Sequence, residues 1–202
     1  MFYEVSQGHG LPHDPFKALV VPRPIGWITA MSAKGEINLS PYSYFNAFSD
    51  RPHIVGFSSE GRKDAMTFVE ETREFVCNLA TFEVRSQMNA TSAPLPRGES
   101  EIIHSGLTQA PSRLVRPPRV AEAPAALECK WLQTVPLKPL GGGEGRYFLV
   151  LGQVVGVHIE DRFLVDGLVD TAAMRPIARA GYRDYFVATP ETKFSITRPK
   201  GG

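Results

Sequence analysis

Cysteine is nearly absent: the 202 residues include two, Cys77 and Cys129. Each sits in an apolar, strand-like run, and the pair lacks the close spacing of a redox or zinc motif. The simplest reading is reduced, buried thiols in a cytoplasmic protein. An excess of one charge is lacking too. The net charge is +1, which gives no electrostatic case for nucleic acid or an anionic membrane as partner. No apolar run reaches the ~18 residues that a membrane span requires. The opening MFYEVSQGHG has neither the basic start nor the apolar stretch of a secretory leader.

Familiar catalytic signatures are missing as well. No G-x-G-x-x-G follows the first strand-like run, so the dinucleotide fingerprint is absent. Gly141-Gly142-Gly143-Glu144-Gly145 lies between two strand-like runs and has no Walker lysine–serine pair, so it reads as a flexible turn. His9, His13, His53, His104 and His158 are scattered, with no carboxylate or cysteine at metal-ligand spacing. There is no G-x-S-x-G elbow. A chain without an evident acid, base, nucleophile or metal points to chemistry carried by a cofactor.

What the chain does have is turns and short alternating runs. Its 17 prolines and 18 glycines favour short strands over long helices. Strands are expected over 26–33, 37–40, 42–48, 53–58, 74–80, 125–135 and 146–159. Apolar residues on both faces of 146–159 suggest a buried strand, bent at Gly152 and Gly156. A helix is expected over 62–73, with Ala65, Phe68, Val69 and Thr72 on one face and Asp64 or Ser59 as cap. A second helix is expected over 81–90, opened by Thr81, and a short one over 171–174, opened by Asp170. Residues 91–124 are broken by proline and read as a solvated loop, with a lid or dimer-spanning segment as the alternative. Residues 1–20 form an arm with a short edge strand at 2–5, and 188–202 form a tail. The whole, 1–202, reads as one domain. Roughly seven short strands with inserted rather than alternating helices predict a mainly β fold, a barrel with a few peripheral helices.

The stretch 22–63 is richer in Ser, Tyr and Asn than a core strand should be. It suits a ligand with a flat apolar part and a phosphate. Pro41, Tyr42, Ser43, Tyr44, Phe45 and Asn46 offer a wall and polar edge contacts. Ser58, Ser59, Gly61, Arg62 and Lys63 offer hydroxyls, amides and two cations beside a helix start, the donor set that a flavin mononucleotide phosphate needs. The same residues have plainer uses. Ser58, Ser59 and Asp64 suit a helix cap, Arg62 and Lys63 a solvated face, and Tyr42, Tyr44, Phe45 and Phe48 a barrel core.

The order and spacing of several motifs resemble the FMN-binding split-barrel proteins of the flavin reductase-like family. These are Trp27-Ile-Thr-Ala, the Gly35 turn, Asn38-Leu-Ser-Pro-Tyr-Ser-Tyr-Phe-Asn, HIVGFSS, Arg62-Lys-Asp, Glu74-Phe-Val-Cys-Asn-Leu, Met88-Asn-Ala-Thr-Ser, Gly98-Glu-Ser-Glu and Gly152-Gln-Val-Val-Gly-Val-His. Pro22-Arg-Pro-Ile-Gly-Trp is similar to the opening of the flavoredoxin-type branch. The resemblance spans about 20–187. It implies a Greek-key split β-barrel, a homodimer, and FMN bound near the dimer interface. By position, Ser43, Tyr44, Phe45 and Asn46 would line the flavin, and Ser58, Ser59, Arg62, Lys63 and Asp64 would hold its ribityl-phosphate end. Asn78 would touch the site or support the sheet. The implied activity is hydride transfer from NAD(P)H to flavin, with FMN as cofactor and FAD or riboflavin as further substrates. It would supply reduced flavin or electrons to a monooxygenase or another acceptor protein. One departure stands out. Where many relatives have Gly-Asp-His before the long strand, this chain has Gly145-Arg146-Tyr147. That leaves a second reading open, a flavin-binding electron-transfer protein reduced by a partner, and a third with pyridoxal phosphate, haem or a deazaflavin as the ligand. Arg146, Tyr147, Arg179 and Tyr182 are the candidates for contacts to a nicotinamide or other substrate.

Overall fold

Short alternating runs separated by turns form seven antiparallel strands: β1 (Gly26–Met31), β2 (Ile37–Tyr42), β3 (Phe45–Asp50), β4 (His53–Glu60), β5 (Glu74–Leu79), β6 (Ala125–Leu137) and β7 (Tyr147–Ile159). The computed structural model describes residues 1–96 and 98–199; the last three residues of the expected tail lie outside them. The strands run in the order β2-β1-β5-β6-β7-β4-β3. The two end strands are consecutive in sequence, with only Ser43 and Tyr44 between them. The sheet curls so that its ends meet. Tyr42 on β2 and Phe57 on β4 lie near opposite ends of the order, yet their rings are 4.6 Å apart. The result is mainly β, a barrel with a few peripheral helices as the patterning predicts, and split as the family resemblance implies.

The barrel interior holds Ile28, Phe57, Phe75, Val150 and the buried, free thiols Cys77 and Cys129. Helix α2 (Asp64–Thr72) closes it with Ala65, Met66, Phe68, Val69 and Thr72. It ends where Arg73 adopts a left-handed conformation (φ 64°) and stacks its guanidinium 3.9 Å from the Trp131 ring centroid. Lys63 occupies the N-cap of α2 without a side-chain bond. Neither Asp64 nor Ser59 caps the helix, because Asp64 already belongs to its first turn and Ser59 is a buried β4 residue.

A second core surrounds the fully buried Trp27 beneath α3 (Arg85–Ala90) and α4 (Glu101–His104). The helix expected over 81–90 is confined to α3, since Thr81 bridges to Pro176 as extended chain. Residues 171–174 form a turn rather than a helix. The arm carries a 3-10 turn, Val5–Gln7, in place of the edge strand, followed by α1 (Phe16–Leu19). Outside the barrel, Arg23–Pro24, Ile177–Arg179 and Tyr185–Val187 make a small three-stranded sheet. β7 is less buried than its sequence predicts. Val150 and Gly152 face the core, but Val155 and Val157 are exposed, because one chain covers only one face of the strand.

One buried carboxylate orders the proline-rich segment before β6. Glu128 is 0% exposed and accepts the amides of Arg113 (2.8 Å), Leu114 (2.6 Å) and Val115 (3.1 Å) as well as the His158 ring at 2.5 Å. Burial alone would raise its pKa, but the Arg113 amide, the His158 imidazole and the Leu114 amide outweigh it and hold the carboxyl below the usual range. A group depressed in the folded state stabilises fully above its unfolded value of about 4.3 and loses that contribution as pH falls through the folded value. Urea titrations between pH 6 and 3 should show stability dropping on acidification, with a shallower drop in Glu128→Gln. Identical slopes would mean that Glu128 does not carry the acid sensitivity.

Candidate functional site

The connection between β2 and β3 sends successive side chains to different places. Ser43 lines a cleft of about 440 Å³ together with Arg23, Arg179, Tyr182 and Tyr185. Tyr44 is half-buried between the Arg23 guanidinium, 5.8 Å from its ring centroid, and the Tyr147 ring at 6.0 Å. Phe45 turns inward. A Cβ on Gly26 would stand 2.5 Å from its ring, so glycine there is what lets Phe45 pack on the barrel. Asn46 is exposed and accepts the Ala47 amide. Of these four, Ser43 lines the cleft, Tyr44 is half-buried and Asn46 is exposed, so these three rather than Phe45 have side chains that a ligand could share.

The residues at the end of β4 divide in the same way. The Ser59 hydroxyl is buried, donates to the Gly61 carbonyl (3.0 Å) and meets the Tyr42 phenol. Burial pushes that phenol up to about 12, so it stays protonated. Ser58, on the other face of the strand, has its amide bonded to the Tyr44 carbonyl (2.8 Å), which ties the connection to β4. Arg62 is exposed and paired with Glu70 at 2.5 Å. Lys63 is exposed and has no ion pair among the described residues. Asp64 lines a separate small cavity with Asn38 and Glu101. The α2 amides after the Lys63 N-cap have no partner within the helix, as in any first turn, and bring partial positive charge next to Lys63.

The substrate candidates fall at two separate positions. Arg146 pairs with Glu60 at 2.7 Å and is highly exposed. Tyr147, beside Tyr44, also bonds to Glu60; burial first, and then the Glu60 charge, raise its pKa. Arg179 and Tyr182 lie instead on the 440 Å³ cleft. Tyr182 holds φ 52°, a conformation that is strained by about 1–3 kcal/mol for a bulky residue. An apolar groove lined by Phe82, Met88, Ile177 and Phe186 adjoins the cleft, sharing Met88, Asn89 and Tyr185 with it. Asn78 belongs to the sheet. It donates to the Trp27 carbonyl (3.0 Å) and Thr29 hydroxyl (2.8 Å) and accepts the Val120 amide (2.8 Å). The resembling motifs at Thr91 and Glu101 are structural as well. Thr91 accepts the Trp27 indole N–H, and Glu101 binds Asn38 and the Leu39 amide.

Sequence reading missed Arg23 as a site residue. Its flanking prolines marked an extended segment, but nothing in the spacing showed that its guanidinium reaches Tyr44 and Ala180.

A family model described as a flavin reductase like domain matches residues 18–173. An uncharacterized protein of Halalkalibacterium halodurans is 36% identical over 186 residues, covering 89% of this chain and 87% of its own. One of Aquifex aeolicus is 34% identical over 184 residues, covering 88% and 90%. Among solved structures, nitrilotriacetate monooxygenase component B from Bacillus cereus aligns with a TM-score of 0.87 at 28% identity, over 97% of this chain and 98% of that one. Flavoredoxin of Desulfovibrio vulgaris (Miyazaki F) shares the fold, with a TM-score of 0.76 at 18% identity over 88% and 91%.

The division between Ser58 and Ser59 can be checked directly. Ser59→Ala should lower unfolding stability by about 1–3 kcal/mol in a denaturant titration, because the Tyr42 phenol and Gly61 carbonyl lose a buried partner. Ser58→Ala should change it by less than about 0.5 kcal/mol. Equal effects would contradict the assignment.

Proposed function

Because the chain belongs to the flavin reductase-like family, we propose that it binds FMN and acts as an oxidoreductase of the NAD(P)H:flavin reductase type. The observation that carries this reading is the pairing of a half-buried aromatic, Tyr44, with a cationic helix start that has donors to spare. Lys63 has no ion pair among the described residues, and the first-turn amides of α2 are open. That donor set fits a phosphate beside a flat ring. Lys63, Arg62, Ser58 and the α2 amides would hold the phosphate, with Arg62 shared with Glu70. Ser43, Tyr44 and Asn46 would border the ring. Phe45 and Ser59 would act from inside the barrel, by fixing the connection and β4, and Asp64 would serve the helix rather than the ligand. When bound, the flavin supplies the acceptor for a nicotinamide hydride and the electrons for the next acceptor. The protein's part is to orient the ring and exclude water from it.

A homodimer belongs to the proposal: Val155 and Val157 on β7 and Leu114 nearby are exposed and apolar, and a second copy would cover them. Nitrilotriacetate monooxygenase component B is, by its name, one part of a monooxygenase. By extension, a flavin-dependent monooxygenase is the proposed consumer of reduced flavin. A second reading, a flavin-binding electron-transfer protein reduced by a partner, is favoured by Tyr147, which stands where the family histidine would and bonds to Glu60, with Arg146 beside it paired to the same carboxylate.

Fluorescence titration of the apoprotein with FMN tests the phosphate assignment. The Arg62→Ala/Lys63→Ala double variant should bind at least about tenfold more weakly, since each charge-assisted bond contributes about 1.5–3 kcal/mol. Unchanged affinity would place the phosphate elsewhere.

A further inference from the structure

The cleft beneath the N-terminal arm has a charge imbalance that the flavin reading does not use. Lys17, Arg23 and Arg179 line it, against one carboxylate, Asp14, which already accepts the Phe16 amide at 2.9 Å. None of the three cations has an ion pair among the described residues. Arg23 is only 6% exposed. Its terminal nitrogens donate to the Lys17 (2.6 Å), Val20 and Ala180 (3.0 Å) carbonyls, while its Nε–H is buried without an acceptor. Carbonyls satisfy donors, but they leave the charge of a buried guanidinium uncompensated, a costly state in a protein interior. Arg179 is held the same way, by the Tyr182 carbonyl at 2.5 Å and by the Tyr185 ring 4.6 Å below it. Tyr182 itself sits at φ 52°, where glycine or asparagine would be unstrained. Ser43 belongs both to this cleft and to the connection assigned to the flavin ring.

We propose that this cleft binds the oxyanion, a carboxylate or a phosphate, of the molecule that exchanges electrons with the flavin. Arg179, Arg23 and Lys17 supply the charge, and Tyr182 and Tyr185 supply the flat wall for its ring. The proposal rests on the flavin reading for the identity of the ligand as a redox partner, but not for the anion site itself. The oxyanion has two sources, a ring-bearing carboxylic acid acting as acceptor or the pyrophosphate of a nicotinamide donor. A volume of about 440 Å³ accommodates a ring-bearing molecule in either case.

Calorimetric titration of the full chain with sodium benzoate and, separately, with ADP-ribose tests this. Wild type binds at least one probe, with affinity falling as salt is added. Benzoate binding identifies the acid as the source, and ADP-ribose binding the nicotinamide donor. Arg179→Gln weakens that binding about tenfold or more, Arg179→Lys less so, and Lys17→Gln, an exposed position, reports the same sign should Arg179→Gln lose its fold by circular dichroism. FMN affinity, measured on the same samples, is unchanged by Lys17→Gln. No binding of either probe to wild type, or undiminished binding in both Arg179→Gln and Lys17→Gln, overturns the proposal. Probe binding that depends on Arg179 in a chain that fails to bind FMN would leave the anion site standing and remove the flavin reading instead.

Discussion

The fold depends on closing a seven-stranded sheet at a connection of two residues, Ser43 and Tyr44. β2 and β3 lie at opposite ends of the strand order, so the chain can pass directly from one to the other only if the sheet curls until its ends meet. Tyr42 inside and the Ser58 amide bond to the Tyr44 carbonyl hold that closure. The side chains at the connection cannot all point inward. Phe45 does, over Gly26, and Ser43 and Tyr44 are left facing outward, where Arg23, Tyr147 and the 440 Å³ cleft converge. The proposed ring site is a consequence of barrel closure.

Much of the fold was legible because short apolar runs bounded by turn residues, and apolar residues at helical spacing, record burial. β1, β4, β5 and α2 lie where their apolar spacing places them. The failures have specific causes. Thr81 looks like a helix cap, but its backbone is recruited to bridge Pro176, a residue far along the chain. The apolar faces of β7 read as full burial, yet Val155 and Val157 lie on a side that one chain does not cover. The edge strand at 2–5 has strand-like residues but no strand beside it, so a 3-10 turn forms from Val5.

The site was legible in part. Hydroxyls and cations at 58–63 are visible in sequence, but which serine faces the interior depends on the register of β4, and that puts Ser59 against Tyr42 and Ser58 on the opposite face. Asp64 resembles a ligand residue by position, and the structure sets it on a small cavity with Asn38 and Glu101, a placement its spacing does not show. Arg23 could not have been found from spacing, since its neighbours Lys17, Tyr44 and Ala180 come from three separate stretches. A buried guanidinium met by carbonyls and a tyrosine ring but by no carboxylate is a property of three-dimensional packing, and it carries the anion proposal.

To act as a reductase this family member must accept hydride on a bound flavin, even though Arg146-Tyr147 stands where many relatives have Asp-His. Stopped-flow mixing of the FMN-loaded protein with NADH, and separately with NADPH, under anaerobic conditions tests it most directly. The oxidised-flavin absorbance is expected to bleach with at least one of the two nucleotides, at a rate that saturates with nucleotide concentration. An unchanged spectrum with both would contradict it and leave the partner-reduced flavin carrier as the function.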